Sequence, residues 1–139
     1  MLPLRYRNRW RVASGLLLSA IFMMAIVPAL WATAIPQSWS ATDKWLHGLT
    51  FMLLALWYTG QYAPESYWRI AVGLSAYGAL IEIGQSMIPY RSAEWGDLVA
   101  DIAGIAVGLA IAMVLTGGWS VRAESWLGNK FGRSIPTDR

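Results

Sequence analysis

Apolar positions in this chain come in long uncharged blocks separated by short polar segments. No charged residue occurs in residues 12–42, and none in 45–64 if His47 is counted as neutral. Residues 70–81 are uncharged, Glu82 interrupts, residues 83–90 are uncharged again, and 102–121 form a fourth run. A helix crossing a bilayer core needs about 20 mostly apolar residues. The pattern therefore predicts spans near 13–35, 44–62, 67–88 and 97–116. The expected fold class is all-α: an integral membrane four-helix bundle, one domain over residues 1–139, with 117–139 as a cytoplasmic tail that either lies on the inner surface or is only partly ordered.

Composition agrees with that reading. Charged residues make up 14% of the chain and hydrophobic ones 56%, against about 25% charged in a soluble domain. The absence of cysteine excludes disulfides, thiolate metal sites and thiol catalysis. The net charge of +3 is no sign of nucleic-acid binding, because the basic residues sit beside apolar segments.

Their distribution sets an orientation. With the N-terminus cytoplasmic, that side collects Arg5, Arg7, Arg9, Arg11, Arg69, Arg122, Lys130, Arg133 and Arg139, and the other side only Lys44 and Arg91. The bias predicts a multi-pass protein of the cell membrane with both termini inside. Trp39, Trp45 and Trp95 then mark the outer interface, and Trp10, Trp68 and Trp119 the inner one. The first run also resembles a signal peptide, with Ala32-Thr33-Ala34 as a cleavage site. Its length exceeds the usual h-region of about 7–15 residues, which favours a retained helix.

This topology gathers polar residues at the outer face. Asp43, Lys44 and His47 open the second span, Glu82 and Gln85 end the third, Arg91 and Glu94 lie between, and Asp97 and Asp101 open the fourth. Asp43 with His47, Glu82 with Gln85, and Asp97 with Asp101 each stand three or four residues apart, so each pair shares a helix face. A shallow layer (Asp43, Gln85, Arg91, Asp97) is expected above a deeper one (His47, Glu82, Asp101). Gly104 and Gly108 continue the stripe of the fourth span, and Ala71, Ser75 and Gly78 lead to Glu82 on the third. Small residues on polar faces predict packing against protein.

Capping accounts for part of this set. Ser40 with Asp43 fits a capping box, and Asp97 follows Gly96 at a helix start. Arg91 is suited to neutralise Asp97 or Glu82. Glu82, two turns inside its helix, and His47, the only histidine, have no such local explanation, and intramembrane ionisable residues are functional candidates by default.

Asp43-Lys44 with His47, Glu82-x-x-Gln85, Pro89-x-Arg91, and Asp97 before a glycine-bearing span together resemble the VanZ-like family of small membrane proteins. The resemblance covers roughly residues 43–108. It implies a bacterial envelope role, the family taking its name from a protein linked to glycopeptide (teicoplanin) resistance, without supplying a reaction. Where the family usually carries asparagine, four residues after the aspartate matching Asp97, this chain has Asp101.

Three functions fit the residues. In the first, Asp43, Lys44, His47, Glu82, Gln85, Arg91, Asp97 and Asp101 line a site for an amphiphile, such as a lipid-linked envelope intermediate or a lipoglycopeptide, with Arg91 and Lys44 on its anionic head. In the second, His47 and Glu82, with Asp97, act as acid and base on a lipid-linked substrate. A lone histidine excludes a two-histidine phosphatase mechanism, and no nucleophile motif surrounds Ser86 or Ser92. In the third, the ionic cluster only fixes helix register for a structural partner of another membrane protein. His47, Glu82, Asp97 and Asp101 carry metal-binding atoms, but their spacing matches no metal motif, so no metal or cofactor is expected. Membrane lipids are the expected surroundings.

Overall fold

The computed structural model describes residues 1–31, 40–87 and 94–130; of 27–31 and 40–43 it describes only the helical backbone. The described chain is all-α. Its helices are α1 (Arg7–Trp31), α2 (Ser40–Gln61), α3 (Tyr67–Ser86), α4 (Trp95–Ile111, continued by a π-helical turn over Ala112–Thr116) and α5 (Trp119–Lys130).

The breaks between helices follow from local chemistry. Pro64 lacks an N–H and disfavours helical geometry at the residue before it. Ala63 is accordingly extended (φ −73°, ψ 154°), and α2 ends before a short 3-10 turn over Pro64–Ser66. At the far end of α4 the Gly117 N–H donates to the Ala112 carbonyl at 2.8 Å. Gly118 then takes φ 68°, a left-handed conformation open to glycine without steric cost.

The centre of the molecule is the α2–α4 interface, where glycines let two backbones meet. Gly104 lies against the Gly48 carbonyl, and a Cβ on Gly108 would stand 2.6 Å from the Met52 carbonyl oxygen. Such close approach replaces side-chain interdigitation with direct backbone packing. Phe51, Leu54 and Ala55 of α2, Ile70, Leu74 and Ile81 of α3, and Ile105 of α4 fill the core. The stripe expected on the fourth span is buried at each named position, Asp97, Asp101, Gly104 and Gly108.

α1 is peripheral. Only 6% of its apolar stretch, Arg7–Ile26, is buried. Polar contacts hold it: the Tyr77 hydroxyl donates to the Leu18 carbonyl at 2.6 Å, and Ser14 Oγ accepts from Trp57 Nε1 at 2.9 Å and Gln61 Nε2 at 3.1 Å. An apolar cleft of about 460 Å³ remains between α1 and α2, lined by Leu17, Ile21, Thr50, Leu53, Leu54, Leu56, Trp57 and Trp119.

Polarity is arranged inside out. Ser14, Thr59, Gln61, Glu82, Gln85, Asp97, Asp101 and Ser120 are buried, while Leu16, Met24, Leu53, Val72, Ile83, Val99, Val107 and Val114 are exposed. Continuous exposed apolar faces of this extent are foreign to soluble monomers. Two of the helical stretches, Arg7–Ile26 and Trp95–Thr116, are long and apolar enough to cross a membrane, with mean hydropathies of 1.4 and 2.5. The remaining two long helices do not meet that measure among the described residues; α2 carries Lys44 and His47, and α3 carries Glu82 and Gln85.

Two contacts organise the end that carries the N-terminus and the tail. The tail is helical through Lys130 and tied to the N-terminus: Glu124 accepts from the Arg5 N–H (2.8 Å), the Tyr6 N–H (3.1 Å) and Trp10 Nε1 (2.8 Å). Trp10 and Trp119 pack on each other and on Trp57, with ring centroids 5.3–5.8 Å apart, and Trp119 Nε1 donates to the Leu56 carbonyl. They form an aromatic cluster between helices, because each ring finds a protein partner. Trp45 and Trp95, by contrast, are exposed at the opposite end.

Candidate functional site

The polar cluster sits where α3 ends and α4 begins, against the first turns of α2. Helical spacing puts Asp97 and Asp101 on the same buried face of α4. Asp101, with no exposed surface, meets His47 of α2: its Oδ1 lies 2.9 Å from His47 Nδ1. The absence of a side chain at Gly78 makes the room, since a Cβ there would collide with Asp101 Oδ2.

Lys44, one turn above His47, bridges α2 to the start of α4. Its Nζ lies 2.8 Å from Glu94 Oε2 and 3.8 Å from Asp97 Oδ1. The aliphatic stem crosses Gly96, where any side chain would displace it. The Lys44–Glu94 pair is half-exposed, so solvent screening leaves it worth little.

Glu82 reaches across from α3. Its Oε2 accepts the Glu94 backbone N–H at 3.1 Å. Glu94 is the N-cap residue of α4 and has no side-chain cap of its own. Glu82 therefore does take part in capping, but of the next helix, which spacing along its own helix cannot reveal. Its Oε1 and Asp101 Oδ2 are buried without a hydrogen-bond partner among the described residues. An unsatisfied buried carboxylate oxygen is costly.

One ligand atom each from His47, Glu82 and Asp97 fall within 4.8 Å of one another. The described cluster thus joins four carboxylates, Glu82, Glu94, Asp97 and Asp101, to Lys44 and His47, an acid-rich balance. Gln85 turns elsewhere: its Nε2 donates to the Ala25 carbonyl of α1 at 3.3 Å, so it ties α1 to α3. The side chain of Asp43 and the whole of Arg91 lie outside the described residues. Ser86 Oγ donates to the Ile83 carbonyl of its own helix at 2.7 Å, and Ser92 is outside the description. Glu94 as a partner of both Lys44 and Glu82, and Gly96 as the bed of Lys44, carry no signal in the sequence pattern, because their contacts join residues far apart in the chain.

In the His47–Asp101 pair a carboxylate orients an imidazole, an arrangement used for general bases and for metal ligands alike. Comparison with known proteins gives a family and no nearer relative. No curated protein and no solved structure matches the chain. The VanZ/LLP1 family model matches residues 4–116, a stretch holding α1 to α4 and every residue of the cluster. The chain belongs to the VanZ/LLP1 family.

Proposed function

We propose that this protein spans the cell membrane four times with both termini inside, and that its cluster engages the head of an amphiphilic envelope ligand at the outer face. The ligand class is a lipid-linked intermediate or a lipoglycopeptide, consistent with the glycopeptide resistance from which the family takes its name. The observation that carries this reading is the group of buried ionisable side chains at one end of a helix set whose outside is apolar. Such groups are expensive in a membrane and persist where they serve a polar cargo. Lys44 and Arg91 supply positive charge for an anionic head, and the apolar cleft between α1 and α2 offers a bed for a chain.

The test is native mass spectrometry of gently extracted protein. A co-purifying polyprenyl or glycopeptide species, lost on Arg91→Gln or Lys44→Gln, supports the reading. Protein free of any such species after extraction from cells making them refutes it.

A second reading, an enzyme on a lipid-linked substrate, is favoured by the 2.9 Å His47–Asp101 contact. A carboxylate on Nδ1 holds the imidazole with Nε2 ready to take a proton. With Ser86 turned to its own helix, the attacking group would be water. Product formed from a lipid-linked diphosphate, abolished by His47→Gln, would place this reading first.

A further inference from the structure

We propose that His47, Glu82 and Asp97 form a binding site for a divalent transition-metal cation of the zinc class. Three observations converge on it. The donor set, one imidazole and two carboxylates from three different helices, is already gathered to within 4.8 Å. A tetrahedral zinc with ligand bonds of about 2.1 Å sets its ligand atoms roughly 3.4 Å apart, so binding needs a contraction of at most about 1.4 Å, within reach of side-chain rotation.

The second observation is the orphaned oxygen. Glu82 is 6% exposed, its Oε2 holds the Glu94 N–H, and its Oε1 has no hydrogen-bond partner among the described residues. A cation satisfies that oxygen without disturbing the cap. The third is the outer shell. Metal-bound histidines nearly always give their other ring nitrogen to a carboxylate or carbonyl, which fixes tautomer and orientation. Asp101 Oδ1, 2.9 Å from His47 Nδ1, is placed to fill this role for a metal bound at Nε2. Nitrogen with hard oxygen donors and no thiolate selects zinc or manganese over softer ions.

Lys44 is the competing cation, 3.8 Å from Asp97. Its half-exposed ammonium also pairs with Glu94 at 2.8 Å, so it can withdraw to that partner when the metal arrives. Three protein ligands leave a fourth position open, as in catalytic rather than structural zinc sites. That position suits a phosphate or carboxylate oxygen, and the ion adds positive charge to an acid-rich cluster in which Lys44 is paired with Glu94. This last step rests on the ligand reading above; metal binding itself does not.

The experiment uses the full chain in detergent, stripped with chelator and free of any affinity tag, titrated calorimetrically with zinc chloride in the absence of lipid-linked ligand. One equivalent of zinc should bind, and thermal unfolding should shift upward with zinc concentration. His47→Gln, Glu82→Gln and Asp97→Asn should each weaken binding by 100-fold or more, whereas Asp101→Asn, acting through His47, should weaken it about 10–100-fold. Glu65→Gln, an exposed carboxylate on the 3-10 turn, should leave it unchanged. Cobalt added in place of zinc should give visible d–d absorption that the His47→Gln protein lacks. The wild-type titration decides the matter even where a variant fails to fold. Failure of wild-type protein to bind zinc or manganese, or undiminished binding in folded His47→Gln and Glu82→Gln proteins, overturns the proposal. Zinc binding without any co-purifying amphiphile leaves the metal site standing and removes the ligand reading.

Discussion

Adding one methyl group at Gly104 should destabilise this protein, and adding one at Gly73 should not. Both glycines are helical, on α4 and α3. A Cβ at Gly104 would overlap the Gly48 carbonyl, whereas nothing lies within 4 Å of one at Gly73. Gly→Ala in a helix gains about 0.5–1 kcal/mol of propensity at either site. At Gly104 that gain meets an overpacking cost of about 1–3 kcal/mol, toward the upper end because the obstacle is backbone and cannot change rotamer. The net expectation is a loss of roughly 1–2 kcal/mol at Gly104 and a gain below 1 kcal/mol at Gly73. For a chain of this size, with about 3 °C per kcal/mol, Tm should fall by about 3–6 °C in the first variant and rise slightly in the second. The nine tryptophans make intrinsic fluorescence a ready readout of thermal unfolding in detergent. Gly48 follows His47, and Gly104 lies three residues beyond Asp101, so the same variant should also loosen the His47–Asp101 contact. Equal melting of both variants, or a more stable Gly104→Ala, would refute the glycine-mediated α2–α4 approach.

Three other outcomes are expected. Terminal tags should report the cytoplasmic side, and Ser38→Cys or Ser92→Cys should label from outside; labelling of Ser92→Cys only after permeabilisation would invert the topology. Glu82→Gln should keep the fold, since an amide oxygen still accepts the Glu94 N–H, while losing resistance or ligand phenotype. Glu82→Ala should cost about 1–3 kcal/mol in thermal stability as well, because the part-buried hydrogen bond from the N-cap amide to a carboxylate is lost; equal stability of the two variants would argue against the cap. Glu124→Ala removes the acceptor of three donors. Limited proteolysis within residues 1–10 should accelerate at least tenfold, and an unchanged rate would show that the N-terminus is held by other contacts.

The helical class and the polar stripe were legible because both rest on periodicity: an Asp97–Asp101–Gly104–Gly108 face repeats every three or four residues, and all four are buried. Small residues beside buried acids likewise announced a protein-facing surface, which Gly104 and Gly108 provide. Periodicity says nothing about which helix a side chain meets. Gln85 shares a face with Glu82, yet α1 lies within its reach and takes its amide. Glu82 was legible as unexplained by its own helix, but the N–H it accepts belongs to Glu94, 12 residues further along the chain. Lys44 was readable as a charge opening the second span; its reach to Glu94 depends on the bare backbone at Gly96. The gathering of His47, Glu82 and Asp97 is invisible to motif spacing because each donor comes from a separate helix. Of the tryptophans expected at the inner interface, Trp68 is exposed, while Trp10 and Trp119 pack on Trp57, a contact set by tertiary proximity.

The hydrogen bond from the Glu94 amide to Glu82 gives the molecule a built-in reporter. It is a strut joining the last turns of α3 to the N-cap residue of α4. An occupant that recruits Oε2 must release that amide, and one that uses only Oε1 leaves it held. Amide hydrogen exchange at Glu94 and the following turn therefore distinguishes the two modes of occupancy: protection falls when the strut is broken and is kept when it is spared.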